Sequence, residues 1–599
     1  MFLKKLLLCV MLGAAALPGC ASETSDDAGS DESNIDAPGA HYGPALFRDD
    51  FSTYLQKDGH YGPADVRQLV YMPTADAMTP PVRVDPAHPL AAHDAFFATL
   101  KPSDFYNEGL GRRLATKIGP TTQDGSNALE NELVRNPLHI VIVPGIFGEF
   151  IPVSPFEEVF RVGGVASVTW EKTLEAAEKD PSKAALVTDK VYSTSAVSVI
   201  DKSMRDLMRV GSIDDAQGRP LVTITYIKPP LGSLETFGTL DENADYYLPR
   251  LEKYFKLIGM PKHLYLMGYS RGTATALNLV TRAQAAKASW YPQLKGVITL
   301  AGVVYGSQLA DAAFQQGGVQ KRLLDNLSDF VENELQSCPD GETAASIALR
   351  AENYGHWAMF LGRELLIARG MGNENAALKR EGIETANADV SSLYNFIRRI
   401  MFGDPQKWLS GDVDGLIDLS APISQHCQNV ARGKTAIRQL LKGVTTLTTQ
   451  SRIDWFKSHT LPSNIRYFSI TGTMGDATAD GQQVNPLAIN PVANDIHSLD
   501  FRSLRGNYYD LLAASGNQLQ DSQVAVQRGL IWNDVNHAIN PQQPALKTYN
   551  MGTVGIHHWG LSFPRAYSSN DGLDANPFPR TILLQAIGTF VAQVESRGG

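Results

Sequence analysis

Short apolar runs alternate with amphipathic stretches along much of the chain. Leu138 to Val143, Leu221 to Ile227, Leu264 to Met267, Gly296 to Leu300 and Ile465 to Thr471 are rich in aliphatic and β-branched residues. Runs of this length with few polar positions predict parallel strands covered on both faces. Between them, Tyr246 to Leu257 carries apolar residues at helical spacing, and an alanine-rich segment follows Gly272. Strand character returns around Thr548 to His558, and Arg580 to Val594 has the apolar stripe of a terminal packing helix. Strands alternating with helices predict an α/β chain built on a doubly wound, mostly parallel sheet. Ligands of such sheets bind at the strands' carboxyl ends.

Two regions depart from that alternation. Across residues 306–462, Leu324, Leu327, Val331 and Leu335 fall at helical spacing, and Ser346 to Arg369 and Ser391 to Met401 also read as helices. These predict a large, mostly helical insertion, a cap or lid, between core segments at 136–305 and 463–599. Residues 41–135 are punctuated by Gly-Pro, Pro-Pro and His-Pro pairs, with a strand-like piece at Arg67 to Met72. They read as an N-terminal extension wrapped on the main body. The histidines there (His41, His60, His88 and His93) have no metal-ligand spacing and are expected to pack or face solvent.

The first forty residues carry address rather than fold. Lys4 and Lys5 precede an apolar run from Leu6 to Leu17, too short to span a bilayer. Leu17-Pro18-Gly19-Cys20 resembles the lipobox of bacterial lipoproteins, which implies cleavage after residue 19 and acylation of Cys20, by palmitate or a similar chain. Residues 20–40 then form a polar tether with little to bury. No aspartate follows Cys20, so the resemblance implies export and anchoring in the outer membrane through the lipid. The formal charge is −10. Two lysines in the first twenty residues and six acids in the next twenty leave −6 from residue 41 onward. That balance argues against nucleic acid as a partner. Of four cysteines, Cys9 leaves with the leader and Cys20 is expected to be acylated. Cys338 and Cys427 remain, both inside the insertion and both in an oxidising compartment, which predicts a disulfide between them.

Candidate chemistry centres on Gly268-Tyr269-Ser270-Arg271-Gly272, set between an apolar strand and a helix. A tight strand-to-helix turn puts its central residue in a strained conformation, and glycine two residues to either side removes the collision. Ser270 Oγ is thereby expected to stand exposed at the carboxyl end of the sheet, beside N–H groups of a helix terminus. A serine hydroxyl is a weak nucleophile near neutral pH and needs a base, itself oriented by a carboxylate. The base belongs on a loop after the last strand, where Gly555-Ile556-His557-His558-Trp559-Gly560-Leu561 lies. His558 is the leading candidate and His557 the alternative, since neighbours on a strand end point opposite ways. For the acid, Asp521 leads, Asp476 and Asp480 are alternatives, and Asp571 follows the histidine.

With these passages together, the chain resembles the secreted bacterial lipases and esterases of the α/β-hydrolase superfamily. Ile140 to Gly148 resembles the family's oxyanion strand and loop, with Pro144 where histidine is usual. Gly268 to Gly272 matches the nucleophile elbow. The segment from Thr445 to Gly472 resembles the approach to the strand before the acid. Asp521-Ser522-Gln523-Val524 and His558-Trp559-Gly560-Leu561 fit the acid and base passages, with serine where glycine usually follows the acid. The resemblance implies Ser270 as nucleophile, His558 as base, Asp521 as orienter, and backbone N–H groups of Ile146 and Arg271 as the oxyanion hole. Many such lipases hold calcium through an aspartate just after the histidine. Trp559, Gly560 and Leu561 offer no carboxylate, so neither a metal nor a cofactor is expected.

The implied activity is carboxylic ester hydrolysis through an acyl-enzyme, and the large insertion points to a bulky acyl or polymeric substrate. An acyltransferase, a serine peptidase, or a tethered binding protein on a silent hydrolase fold are the competing readings. No dinucleotide fingerprint, phosphate loop, His-Glu-x-x-His or Cys-x-x-Cys is present to support redox, kinase or metalloprotease chemistry.

Overall fold

The apolar runs form one sheet. In the computed structural model they are β1 (Val70–Tyr71), β2 (Leu138–Val143), β3 (Val222–Tyr226), β4 (His263–Tyr269), β5 (Leu294–Leu300), β6 (Arg466–Gly472) and β7 (Lys547–Val554). Their order is β1-β7-β6-β5-β4-β2-β3. Every pairing from β3 to β7 is parallel, and β1 adds an antiparallel edge through Val70 opposite Val554. All six side chains of β2 are buried, as are all but one in each of β4, β5 and β6. That burial is why these segments read as nearly unbroken apolar runs. The residues described are 70–71, 83–100, 138–146, 222–226, 236–314, 427, 435, 438–474, 476–477, 484–485, 499–554, 556–561, 565–567, 573–575, 587–588, 591 and 594–595.

Helix α1 spans Ala91–Thr99, within the expected N-terminal extension. Helix α2, Leu240–Ile258, starts earlier than the apolar pattern suggests because Thr239 and Glu242 form a reciprocal cap. Thr239 Oγ1 accepts from the Glu242 N–H at 3.1 Å, and Glu242 Oε2 accepts from the Thr239 N–H at 2.6 Å. Leu240, Ala244, Tyr247, Leu251 and Tyr254 then fall at intervals of four and three, one buried stripe. Helix α3, Arg271–Ala286, is buried throughout its first ten residues. It stops at Lys287, which adopts the left-handed conformation at φ 52° and whose N–H reaches the carbonyls of Ala283 and Gln284.

The chain passes from β2 outward to β3 and then returns to β4 on the other side of β2. The winding direction therefore reverses between β2 and β4. Crevices open at the carboxyl ends of strands at such a reversal, and here those ends are Val143 and Tyr269.

Two compact units divide the chain: 39–312 with 439–599, and 1–38 with 313–438. The expected insertion runs to 462, but 439–462 belongs to the sheet-bearing unit. Helix α4, Gln308–Ala313, reaches the break, and α5, Thr449–Ser458, follows the return at 439. Trp455, Phe456 and Leu461 join the main core, and Trp455 Nε1 donates to Asn278 Oδ1 of α3 at 2.9 Å. Their apolar spacing is that of any amphipathic helix and does not say which body it covers.

The leader, the tether, Cys20, Cys338 and the helices expected between 324 and 401 lie outside the described residues. Cys427 is helical and disulfide-bonded. No helix among the described residues is long and apolar enough to cross a membrane. At the C-terminus the described positions Ile587, Val591 and Glu595 are helical, and Ile587 and Val591 are buried. Glu595 accepts from His263 Nδ1 at 2.8 Å, Tyr265 Oη at 2.5 Å and Arg466 Nη1 at 2.6 Å. These donors outweigh burial and hold its carboxyl below the usual range.

Candidate active site

Ser270 sits between the end of β4 and α3 with φ 55° and ψ −127°, a conformation that costs a non-glycine residue about 1–3 kcal/mol, and it is buried at 7% exposure rather than exposed as expected. Three bonds hold it there. Its N–H donates to Leu300 O at 3.1 Å, and its carbonyl accepts from the N–H groups of Thr273 and Val303, each at 3.1 Å. The flanking glycines are required sterically. A Cβ on Gly268 would press into the backbone of Thr273, and one on Gly272 into the carbonyls of Val143 and Pro144. The loop leaving β2 therefore crosses directly over the start of α3. A Cβ on Gly145 would lie 3.2 Å from Ser270 Cβ, which puts Gly145 beside the serine.

Arg271, the first residue of α3, turns its side chain inward and is 1% exposed. Its guanidinium donates to Thr236 O at 2.6 Å, Asn243 Oδ1 at 2.5 Å, Gly238 O at 2.6 Å and Thr446 Oγ1 at 3.3 Å. It thus ties the start of α3 to the approach to α2 and to the strap entering α5. A second buried guanidinium, Arg452, donates through Nε to Val304 O at 2.9 Å. It lies over Trp455, 4.6 Å from the ring centre. Burial first, and the Arg271 charge second, bring its pKa down to about 9.

Across the sheet edge, His558 Nδ1 donates to Asp521 Oδ2 at 2.7 Å, and both side chains are 1% exposed. The same residues are joined through their backbones, with the His558 N–H donating to Asp521 O at 2.8 Å. Asp521 Oδ1 accepts the N–H groups of Gln523 at 3.0 Å and Val524 at 2.8 Å. Both carboxylate oxygens are therefore engaged. A tight turn makes this possible: Gln520 bridges Ala525, and Ser522 takes φ 81°. The turn is tied to the end of β6, where Met474 N–H donates to Gln520 O at 2.7 Å. A Cβ on Gly472 would come within 3.0 Å of Asp521 Cβ.

His558 also touches the elbow. Tyr269, which precedes Ser270, donates its hydroxyl to His558 O at 2.8 Å, and the two rings lie 5.2 Å apart at 30°. His558 Nε2 is buried and has no hydrogen-bond partner among the described residues, Ser270 Oγ included. His557 is placed differently. Its Nδ1 accepts the Gly560 N–H at 3.0 Å, and burial, with the charge of His558 second, brings its pKa down to about 3. It is a neutral, buried hydrogen-bond acceptor.

Asp521 and His558 are thus joined beyond β6 and β7, and the Tyr269 hydroxyl ties the His558 backbone to the residue that precedes Ser270. Asp476 lies in a two-residue strand paired with Val484–Asn485. Asp480 and Asp571 fall outside the described residues. The contribution of Tyr269 carries no sequence signal, because its partner lies 289 positions away. Among the described residues no three His, Cys, Asp or Glu side chains gather as a metal site would need.

No protein-family model matches the chain, and no curated protein resembles it in sequence. Solved structures do show a likeness. A metagenomic carboxyl esterase is 14% identical over 76% of this chain and 76% of its own, with a TM-score of 0.33. The mature lipase of Bacillus licheniformis is 12% identical over 71% of this chain and 85% of its own, with a TM-score of 0.27. The lipase of Staphylococcus hyicus is 14% identical over 77% of this chain and 98% of its own, with a TM-score of 0.29. Scores this low leave the architecture resting on the strand order and registers given above.

Proposed function

We propose that the chain is a serine hydrolase of the α/β-hydrolase kind that cleaves carboxylic esters. The observation that carries this reading is the buried His558–Asp521 pair, 2.7 Å apart, whose His558 carbonyl accepts from Tyr269, the neighbour of a strained serine. That pairing fixes the imidazole proton on Nδ1 and leaves Nε2 as the basic nitrogen. Ser270 Oγ attacks the ester carbonyl while Nε2 takes its proton. The carbonyl oxygen becomes an oxyanion received by the N–H groups of Ile146 and Arg271. Collapse breaks the ester C–O bond, and His558 returns the proton to the leaving alcohol. Water, activated by the same imidazole, then releases the acid and regenerates Ser270. Closure of Nε2 on Ser270 Oγ belongs to the substrate complex, where catalytic hydrogen bonds shorten relative to the free enzyme.

The helical insertion supports a substrate with a bulky acyl or polymeric part, because a small ester needs no such cover. Acylation at Cys20 would hold the enzyme at the outer membrane, and a Cys338–Cys427 disulfide would staple the insertion. Intact mass before and after reduction tests that bridge.

A fluorophosphonate probe followed by peptide mapping, with nitrophenyl esters of rising chain length, tests the function. Labelling at Ser270 with long-chain preference is expected. Labelling without ester turnover would redirect the reading to an acyltransferase or peptidase, and no labelling to a binding protein.

A further inference from the structure

Helix α1 comes from the extension whose purpose the sequence leaves blank, yet it grips the bases of both loops that carry reactive groups. Phe97 is fully buried among Leu519, Val526 and Leu530, which bracket the Asp521 turn. One helical turn earlier, Asp94 Oδ1 accepts from Gln527 Nε2 at 2.9 Å and from Arg528 Nε at 3.0 Å. Its Oδ2 accepts from Arg528 Nη2 at 2.5 Å. Gln527 and Arg528 belong to the short helix Val526–Gly529 and are 1% and 4% exposed.

Two bonded paths leave this carboxylate. Through Gln527, Oε1 accepts from Asn517 Nδ2 at 2.5 Å, and Asn517 Oδ1 accepts the Leu519 N–H at 2.8 Å. Leu519 O accepts the Val526 N–H at 3.0 Å, closing the base of the turn that presents Asp521. Through Arg528, Nη1 donates to Tyr305 O at 2.9 Å, and Arg528 O accepts the N–H groups of Val304 at 3.1 Å and Tyr305 at 3.2 Å. The preceding residue, Val303, donates its N–H to the Ser270 carbonyl at 3.1 Å. One side chain from the N-terminal extension is thus the common end of a path to the acid and a path to the nucleophile.

We propose that Asp94 is a positioning residue for the serine chemistry inferred above. Through Gln527 and Arg528 it keeps the Asp521 turn and the Ser270 loop in mutual register, and this role rests on that functional reading. Arg528 is a buried guanidinium, so removing its carboxylate leaves a desolvated cation seeking another acceptor, and both loops shift to provide one. Misplacement of reacting groups by about 1 Å costs on the order of 100-fold in rate.

The test compares Asp94→Asn and Asp94→Glu with wild type in the full chain. Ester turnover, urea unfolding and the low-field proton resonance of His558 Nδ1–H are measured on each. The expected result for Asp94→Asn is a kcat lower by about 10- to 100-fold with KM within about twofold. The His558 resonance should shift or broaden, and Asp94→Glu should restore most of both. A clasp that only stabilises the fold would lower the unfolding midpoint and leave kcat and the resonance at wild-type values, which would overturn the proposal. Should Asp94→Asn fail to fold, Gln527→Ala keeps the Asp94–Arg528 ion pair and cuts only the acid-side path. It should still move the resonance and lower kcat, and wild-type values for both would equally overturn the role. Ser270→Ala is run in parallel. Retained turnover there rejects the serine mechanism itself, whereas lost turnover there with an unaffected Asp94→Asn rejects only the positioning role.

Discussion

The hydroxyl of Tyr269 donates to the carbonyl oxygen of His558 at 2.8 Å across 289 positions of sequence. The residue next to the proposed nucleophile therefore holds the backbone that carries the proposed base. Tyr269→Phe keeps the ring contact and removes one hydrogen bond, worth about 1 kcal/mol. Ester turnover should fall about 5-fold, with the fluorophosphonate labelling rate falling in parallel. A variant with unchanged labelling would mean the bond does not set the position of His558.

Gly272→Ala pits two effects against each other. Alanine in a helix gains about 1 kcal/mol over glycine. The new Cβ, however, would strike the carbonyls of Val143 and Pro144, which are backbone and cannot step aside cheaply. Overpacking of this kind costs about 3 kcal/mol, so the collision wins. Urea unfolding should show a lower midpoint at unchanged slope.

Ser522 offers the opposite outcome. It holds φ 81°, and its hydroxyl is buried without a hydrogen-bond partner. Ser522→Gly relieves the backbone and removes the buried hydroxyl, against the greater freedom of glycine in the unfolded chain. A net gain of about 1 kcal/mol is expected in thermal or urea unfolding. Loss of stability would mean that the hydroxyl is satisfied in solution.

Much of this was readable from residue types, for reasons the structure supplies. The strand at Leu138–Val143 has the expected bounds because burial on both faces leaves no polar interruption, and the elbow declares itself through two glycines that nothing else can replace. Ser522 stands where the resembled family has glycine, and its positive φ accounts for that preference. What escaped reading is what depends on partners distant in sequence. The cap at Thr239 hides the start of α2 among polar residues. Trp455 and Phe456 look alike whether they cover a core or a cap, and nothing near Asp94 announces Arg528.

Stability should respond to pH through His139, which burial brings down to about 3. The unfolded chain binds that proton near pH 6.5 and the folded one does not. The contribution is therefore complete above 6.5 and is lost as pH falls from there towards 3. At pH 5 the loss is about 2 kcal/mol for this one group. His557 is lowered to about 3 in the same way, so His139→Phe should remove about half of the slope between pH 6.5 and 5, above the range where Glu595 begins to titrate. An unaltered slope would assign the acid sensitivity elsewhere.

The central claim is that Ser270, His558 and Asp521 act as one chemical unit. Its most direct measurement is the turnover of Ser270→Ala, His558→Ala and the double variant on one ester. Each single change should cost on the order of 10⁴-fold or more, and the double change should cost no more than either alone. Losses that multiply, or a His558→Ala enzyme within tenfold of wild type while His557→Ala is dead, would contradict the account.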